Sequence, residues 1–364
     1  MTTISPVDIA RLKRFLPRFR KVRIAVLGDL MLDRYIQGEA SGLSPEAPIP
    51  VVHFISQRDF PGGAGNVAAN LAALGARVHA FGAIGGAKHA SKKVGDDEAG
   101  ADFRRSLRSA GIDDRGVLSD VHRVTTVKSR VIARHHQVVR IDHERRDPLS
   151  ADTEETLFRL LVSSLKSLDA LVLSDYDKGI ITDSVAGRVL HACHQFKVPV
   201  FVKPKTSRLF PYNGARAIVC NAKEAGLYVA YPLTGGQSVE EAGRALLPRF
   251  GAAAVVITRG EQGMSLFEEG SPHPLYIPAT SFEVTYARVG QPGIERGATG
   301  RQVFDVTGAG DTVLSVLALA VAAGASMPDA AHLANTAAGV VVGKLGTATV
   351  NAAELAAALD DLCS

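Results

Sequence analysis

Tryptophan is absent from the 364 residues, and cysteine occurs only as Cys193, Cys220 and Cys363. An odd, scattered set without a C-x-x-C pair argues against a disulfide framework and for a reducing compartment. Charge of one sign is lacking as well: 41 Lys and Arg face 37 Asp and Glu, a net charge of +4. Such a balance argues against bulk nucleic-acid binding. Long apolar runs are missing too. The most apolar stretch, Thr312 to Ala325, is too short to span a bilayer and contains a serine. The N-terminal residues mix basic side chains with short apolar pieces, without the apolar core and small-residue cleavage site of a signal peptide. The expectation is a soluble cytoplasmic enzyme with no membrane or nucleic-acid partner. A chain of this length that is 46% hydrophobic buries a large core without a disulfide or metal staple.

Val- and Ile-rich runs alternate with Ala- and Leu-rich runs of helical length. VRIAVLG from Val22, VHAFGAIG from Val78, ALVLSDY from Ala170, VPVFVKP from Val198, ARAIVCN from Ala215 and AAAVVITRG from Ala252 read as strands. NVAANLAALGA from Asn66, VAGRVLHACHQF from Val185 and VEEAGRALLPRF from Val239 read as helices. From Asp311 onward the pattern is helical with one interruption near Gly324. This alternation predicts an α/β fold: a mostly parallel central sheet with helices on both faces. Two segments break the rhythm. Gly42 to Phe54 is Pro-rich and extended, and Val121 to Ile141 is extended with five Arg/Lys and no acid. On an unbroken strand Lys128, Arg130, Arg134, His136 and Arg140 would share one face, although a strand that long should bend or bulge. Both segments read as a small β-lid. Residues 283–300 have no clear period and read as a loop.

Several motifs fail on inspection. Gly63 to Ala68 imitates the dinucleotide pattern G-x-G-x-x-A, but it follows Pro61 rather than an evident strand, and no acid follows before Gly95 to hold a ribose. Gly339 to Leu345 has neither the spacing nor the Ser/Thr of a P-loop. His191, Cys193 and His194 lie on a predicted helix without a second ligand cluster, so zinc is disfavoured. Two motifs hold. Asp305-Val306-Thr307-Gly308-Ala309-Gly310-Asp311 directly precedes a helix. Its small residues let backbone N–H groups turn toward one point, and the helix N-terminus adds positive potential, an anion hole for a transferring phosphoryl group. Asp311 would accept a proton from an attacking hydroxyl. The bland alternative is a Gly-rich turn with a capping Asp. Pro61-Gly62-Gly63-Ala64-Gly65-Asn66 permits close backbone approach, and Asn66 can donate to and accept from a sugar hydroxyl. Its alternative is an ordinary loop entering a helix.

This pair of motifs, GGAGN near the front and DVTGAGD near the back, resembles the two signatures of the ribokinase-like (PfkB) carbohydrate kinase family, and the similarity covers nearly the whole chain. Four segments, GDLMLDRYIQGEASGLSPEAPIPVV, RHHQVVRIDHE, LSDYDKGIIT and AAGVVVGKLGTATV, resemble the family's heptose 7-phosphate kinases, which also occur as one half of a bifunctional ADP-heptose synthesis protein. The resemblance implies one ribokinase-like kinase domain over residues 1–364, with a lid from about 41–56 and 121–142. It implies Asp311 as catalytic base and the amides of Gly308, Ala309 and Gly310 as the anion hole. It implies Asp33, Gly62, Gly63 and Asn66 as sugar ligands. Asn221 and Glu224 match the N-x-x-E motif, with Glu224 reaching Mg²⁺ through water. Thr258, Gly260 and Gly263 match the nucleotide-side loop, and Asn335 a position beside the adenine. ATP and Mg²⁺ follow as cofactors, and K⁺ as a further cation framed by carbonyls around Asp305 and Gly346.

A sugar 7-phosphate brings about two negative charges, for which Arg130, Arg134 and Arg140 are candidates, with Lys178 as another and Asp175 for a hydroxyl. The implied activity is ATP-dependent phosphorylation of the anomeric hydroxyl of heptose 7-phosphate to the β-1,7-bisphosphate, toward ADP-heptose for lipopolysaccharide core. Only the kinase half is matched, so the kinase step alone is expected. The lid edges Ile49–Phe54 and Val124–Val131 suggest a homodimer by strand pairing. The chain departs from the family at Lys203, where relatives usually carry Asp, and at Val219-Cys220, where Thr-Pro is usual. An insertion lies at about 86–93, and residues 283–300 are long. These changes read as lying around nucleotide-side loops, affecting ATP affinity more than reaction type. The rivals are a kinase for another sugar or sugar phosphate, a non-catalytic sugar-phosphate-binding protein on the same fold, and a nucleic-acid binder using the Arg-rich lid.

Overall fold

The computed structural model describes residues 8–88, 94–133, 136–207, 210–280, 308–344 and 348–363. The chain starts with α1 (Ile9–Lys13) and β1 (Arg23–Gly28), then a long hairpin of β2 (Leu30–Leu43) and β3 (Pro50–Gly63) that runs into α2 (Ala64–Ala73). Next come β4 (Arg77–Lys88), β5 (Val94–Asp96), α3 (Glu98–Ser109), β6 (Asp113–Asp120), β7 (Thr126–Ala133), β8 (His136–His143) and α4 (Ala151–Ser164). The alternating part follows: β9 (Ala170–Ser174), α5 (Asp183–Phe196), β10 (Val200–Lys203), β11 (Ala217–Asn221), α6 (Ala222–Val229), α7 (Gly236–Phe250) and β12 (Ala254–Thr258). Strands β13 (Met264–Glu268) and β14 (Leu275–Ile277) and helices α8 (Ala309–Ala322), α9 (Met327–Val342) and α10 (Ala352–Asp360) complete the fold.

The large sheet runs β14-β13-β12-β11-β10-β9-β1-β4, and β4 pairs further with β5 and β6. From β12 through β4 to β6 the pairing is parallel, as the alternating sequence requires. Strands β5, β13 and β14 pair antiparallel. Successive residues of a strand face opposite sides, so each buried strand feeds two cores. Ile24, Val26, Val172 and Val256 join Leu71 of α2 and Leu314 of α8 on one side. Ala25, Leu27, Leu173 and Ile257 join Leu161 of α4 and Val189 of α5 on the other.

The second sheet has the order β3-β2-β7-β8. It draws on residues 30–63 and 126–143, more than the two segments read from the sequence. Residues 121–141 are not one extended run. Strand β7 ends at Ala133 and β8 begins at His136, and the two pair antiparallel with Arg130 opposite Arg140 and Lys128 opposite Asp142. Folding back gives each strand a partner, and it brings acids onto a face that looked purely basic. Arg134 lies outside the described residues. Strand β7 is interior, paired with β2 as well as β8, so the expected edge at Val124–Val131 is not an edge. The edges are β3 and β8.

Two further expectations change. The G-x-G-x-x-A run does follow a strand, but that strand is β3, antiparallel to β2 in the small sheet rather than parallel in a βαβ unit. The C-terminal helical region breaks twice, at Gly324 and again after α9, where Asn351 caps α10 with its side chain.

Asp29, just past β1, is fully buried and ties the elements of the site together. Its carboxylate accepts from the backbone N–H groups of Tyr176 (2.7 Å), Lys178 (3.2 Å) and Ile180 (3.1 Å). Its carbonyl accepts from Ala64 N at the start of α2. Burial raises its pKa, against the pull of those three N–H groups and of Arg123. Asp29→Ala would leave the three donors buried without a partner, and a loss of roughly 3 kcal/mol is expected. Urea unfolding of the variant against the parent measures it; an unchanged midpoint would remove Asp29 from this role.

Candidate active site

Parallel strands end at the same edge of the sheet, and that edge is where ligands bind in open α/β folds. The carboxyl ends of β1, β9 and β10 lie side by side, with Gly28 beside Ser174 and Ser174 beside Lys203. Farther along, Asn221 of β11 lies beside Thr258 of β12. The N-termini of α2 and α8 enter the same region, which brings GGAGN and the GAGD end of the second motif together.

Asp311 is the centre of the arrangement. It sits in the first turn of α8 and is only 4% exposed. Oδ2 accepts from Asn66 Nδ2 at 2.9 Å. Oδ1 accepts from the Tyr176 hydroxyl at 2.5 Å and from Lys203 Nζ at 2.7 Å. Asn66 is held in turn by Asn70 Nδ2, and Thr312 Oγ1 donates to Asn70 Oδ1. Burial, then the Asp311 charge, push the Tyr176 phenol above its usual range, so it stays a donor. Burial works against the Lys203 ammonium, but the Asp311 carboxylate outweighs it and raises the lysine pKa. Gly308, the N-cap of α8, has φ 87°, a left-handed backbone that favours glycine. Asp305 to Thr307 and Gly346, expected around a monovalent cation, lie outside the described residues.

Of the residues expected on the sugar side, Asp33, Gly62 and Arg130 lie together. Asp33, on β2 and buried, is bonded by Arg130 Nη1 of β7 at 2.5 Å. The Arg130 guanidinium also stands over the Tyr35 ring. Burial raises the Asp33 pKa, with Arg130 opposing. Gly62 packs on Asp33: a Cβ there would meet its Oδ2 at 2.3 Å. Gly63 has φ 56°. Lys178 is buried and donates to Glu144 Oε1 at 2.9 Å, while Lys128 reaches Glu144 Oε2 at 3.3 Å. Arg140 is exposed and pairs with Asp142 of its own strand. Asp175 Oδ1 accepts from Asp177 N, two residues on.

Of the residues expected on the nucleotide side, Asn221 and Thr258 end neighbouring strands. Asn221 and Glu224 form a reciprocal capping box on α6, with Asn221 Oδ1 accepting from Glu224 N and Glu224 Oε2 from Asn221 N. Thr258 ends β12, and Gly260 and Gly263 follow with φ 59° and 79°. Arg259 N donates to Gly263 O at 2.7 Å, closing the loop. Asn335 of α9 donates to the Pro278 carbonyl at 2.9 Å. A hollow of about 440 Å³ lined by Lys21, Arg23, Arg77 and Lys166 lies at the other end of the sheet, where β1 and β4 begin.

Sequence reasoning missed four contributors. Asp29 lies in GDLMLD and Tyr176 in SDYDKG, where nothing local in the sequence singles them out. Glu144 closes RHHQVVRIDHE and was overlooked as a counter-ion. Lys203 was read as a nucleotide-side change, but β10 adjoins β9 at the sheet centre, and this puts its last residue on Asp311. The available signal was a lysine ending a buried strand, VFVK, which requires an acid nearby.

Residues 21–354 match the family described as pfkB family carbohydrate kinase. The chain belongs to that family. The kinase is 40% identical over 338 residues to "Bifunctional protein HldE" of Geobacter sulfurreducens, covering 93% of this chain and 63% of that protein. To the protein of the same name in Pseudomonas putida it is 41% identical over 357 residues, covering 96% and 66%. The chain thus spans about two thirds or less of the length of these relatives. Among solved structures it resembles Arabidopsis thaliana ribokinase complexed with ribose and ATP, with a TM-score of 0.68 and 19% identity over 93% of this chain and 98% of the other. It also resembles Escherichia coli phosphofructokinase-2 in complex with potassium, with a TM-score of 0.69 and 17% identity over 94% and 99%. Those likenesses show the ribokinase-like fold. No helix among the described residues is long and apolar enough to cross a membrane.

The Glu144 cluster is expected to make the kinase's stability pH-dependent. Burial alone would raise the Glu144 pKa, but Lys178, Arg146 and Lys128 bring it from 4.5 to about 2. A carboxyl depressed on folding stabilises above its unfolded pKa and loses that contribution as pH falls through the folded value. Glu144→Gln is therefore expected to be less stable than the parent at neutral pH. The difference should shrink as pH falls from 4.5 toward 2. Urea midpoints at several pH values test this, and a pH-independent difference would rule it out.

Proposed function

We propose that this kinase transfers the γ-phosphoryl group of ATP to the anomeric hydroxyl of D-glycero-D-manno-heptose 7-phosphate. The product would be the β-1,7-bisphosphate, on the way to ADP-heptose for lipopolysaccharide core. The observation that carries the chemistry is the asymmetric loading of Asp311. Among the described residues Oδ1 holds two donors and Oδ2 only Asn66, which leaves Oδ2 a lone pair for the proton of the incoming hydroxyl. The heptose reading rests on the four similar segments and on the 40% identity to the relatives named HldE.

In this reading Asp33, Gly62, Gly63 and Asn66 seat the sugar. Arg130 and Lys178 face its phosphate, Arg140 lies at the rim, and Asp175 takes a hydroxyl. The amides of Gly308, Ala309 and Gly310 face the charge that develops on the transferring group. Asn221, Thr258, Gly260, Gly263 and Asn335 hold the nucleotide. Glu224 suits a hydrated Mg²⁺: its Oε2 caps α6, and Oε1 remains for a metal-bound water. Bound Mg²⁺ neutralises charge on the ATP phosphates. K⁺ near Asp305 completes the reading.

The chain acts as one kinase unit, the small sheet serving as a lid that excludes water. The lid leaves Leu43, Ile49, Phe54, Ile55, Val139 and Ile141 exposed. Such an apolar surface beside two open strand edges supports a homodimer through the lid, which light scattering checks. ADP release with Mg-ATP and heptose 7-phosphate, ribose, fructose or fructose 6-phosphate tests the acceptor. Strong turnover with heptose 7-phosphate alone is expected; turnover confined to another sugar overturns the assignment. Asp311→Asn should lower kcat about 10²–10⁴-fold while ATP still binds, and near-normal turnover would take Asp311 out of the base role.

A further inference from the structure

We propose that Lys203 is a catalytic residue of this kinase: its ammonium, fixed between the Asp311 carboxylate and the glycine turn at the start of α8, binds the γ-phosphoryl group during transfer. The inference rests on the proposed roles of Asp311 and of the Gly308–Gly310 turn, and it adds a residue to which neither sequence motif points.

Three observations carry it. The side chain is only 18% exposed and ends on the carboxylate proposed as base. Among the described residues two of its three N–H donors are engaged, with Asp311 Oδ1 at 2.7 Å and the Tyr176 hydroxyl at 3.3 Å; an ammonium has a third to offer. Its Nζ also stands against the anion-hole turn, where a Cβ on Gly310 would lie 3.3 Å away. Bare glycine backbone is therefore all that separates the ammonium from the first turn of α8. A helix N-terminus and an ammonium are both positive, with the Asp311 carboxylate and, farther off, that of Glu224 acting on the ammonium. The ammonium and the helix N-terminus lie where the transferring group's equatorial oxygens would gather charge.

In the transfer, the acceptor oxygen forms a bond to the γ-phosphorus, and the bond from that phosphorus to the β–γ bridging oxygen breaks. The bridging oxygen keeps the electron pair and leaves with ADP. The acceptor proton goes to Asp311 Oδ2. Lys203 transfers no proton; it stays an ammonium, holding Asp311 Oδ1 and an oxygen of the moving group. A lysine that served only as counter-ion to Asp311 would support the fold without favouring the transition state over bound substrate.

Lys203→Met removes the charge at similar length, Lys203→Gln keeps a hydrogen-bond donor, and Lys203→Arg keeps the charge. All three are compared with the parent for kcat, acceptor KM, ATP affinity by calorimetry and thermal midpoint. The acceptor is whichever panel sugar the parent phosphorylates, or water in ATP hydrolysis if it phosphorylates none, so the heptose assignment is judged separately. The expected result is a kcat about 10²–10³-fold lower in the Met and Gln variants, with KM and ATP affinity within about threefold. Lys203→Arg should recover at least about tenfold. A kcat within about threefold of the parent in a folded neutral variant overturns the proposal. So does a loss matched by lost substrate binding, or an Arg variant no better than Met. Two neutral variants are read in parallel, so a folding defect in one does not decide the result.

Discussion

A carboxylate that is almost completely buried must be met by donors, or the fold cannot keep it charged. At Asp311 they come from three places far apart in sequence: Asn66 on α2, Tyr176 after β9 and Lys203 at the end of β10. Each donor is delivered by a different element, so the carboxylate registers those elements against one another. The Asn66–Asn70–Thr312 chain extends the same constraint along the contact between α2 and α8. Moving either helix along its axis would break bonds that buried groups have no water to replace.

The parallel sheet makes this convergence possible. Because β1, β9 and β10 are adjacent and point the same way, the residues that follow them emerge at one edge. Asp29 then organises the loop after β9 by gathering three of its N–H groups, and its carbonyl fixes the first residue of α2. One buried acid behind the site thus orients the elements that carry Tyr176 and Asn66. The small sheet supplies the other wall, and Gly62 lets that wall close onto Asp33, where any side chain would collide.

Much of this was legible in the sequence because the signals were local. Buried parallel strands show as Val/Ile runs, and glycine-rich turns before helices show as motifs, so the sheet, α2 and α8 follow from the chain, whereas the contact of Asn66 with Asp311 is seen only in the fold. What was not legible depended on pairing between distant residues. The turn between β7 and β8 is not marked by glycine or proline, so residues 121–141 read as one run until the partner strand is seen. With that turn missed, the acids Asp142 and Glu144 were not placed against Lys128 and Lys178, and the lid looked more basic than it is. Lys203 was conspicuous, but its neighbour depends on strand order, which sequence periodicity does not encode.

The pairing of cations around the site has an energetic consequence for the proposed reaction. Arg130 holds Asp33, Lys178 holds Glu144 and Lys203 holds Asp311. Pulling one partner from a buried pair and leaving the other bare costs about 3–5 kcal/mol, and less at Glu144 and Asp311, which keep other donors. A neutral sugar entering this wall offers the cation it displaces hydroxyl lone pairs but no charge. A phosphorylated sugar brings an anion that takes over the guanidinium or ammonium, while its hydroxyls donate to the carboxylate left behind. Binding then becomes an exchange of partners in which no charge is stranded. The same logic applies at Lys203, where the incoming group is itself anionic and shares the ammonium with Asp311 rather than replacing it. In the proposed reaction, selectivity for a phosphorylated acceptor would follow from which ligands can complete the exchange, the buried pairs penalising those that cannot.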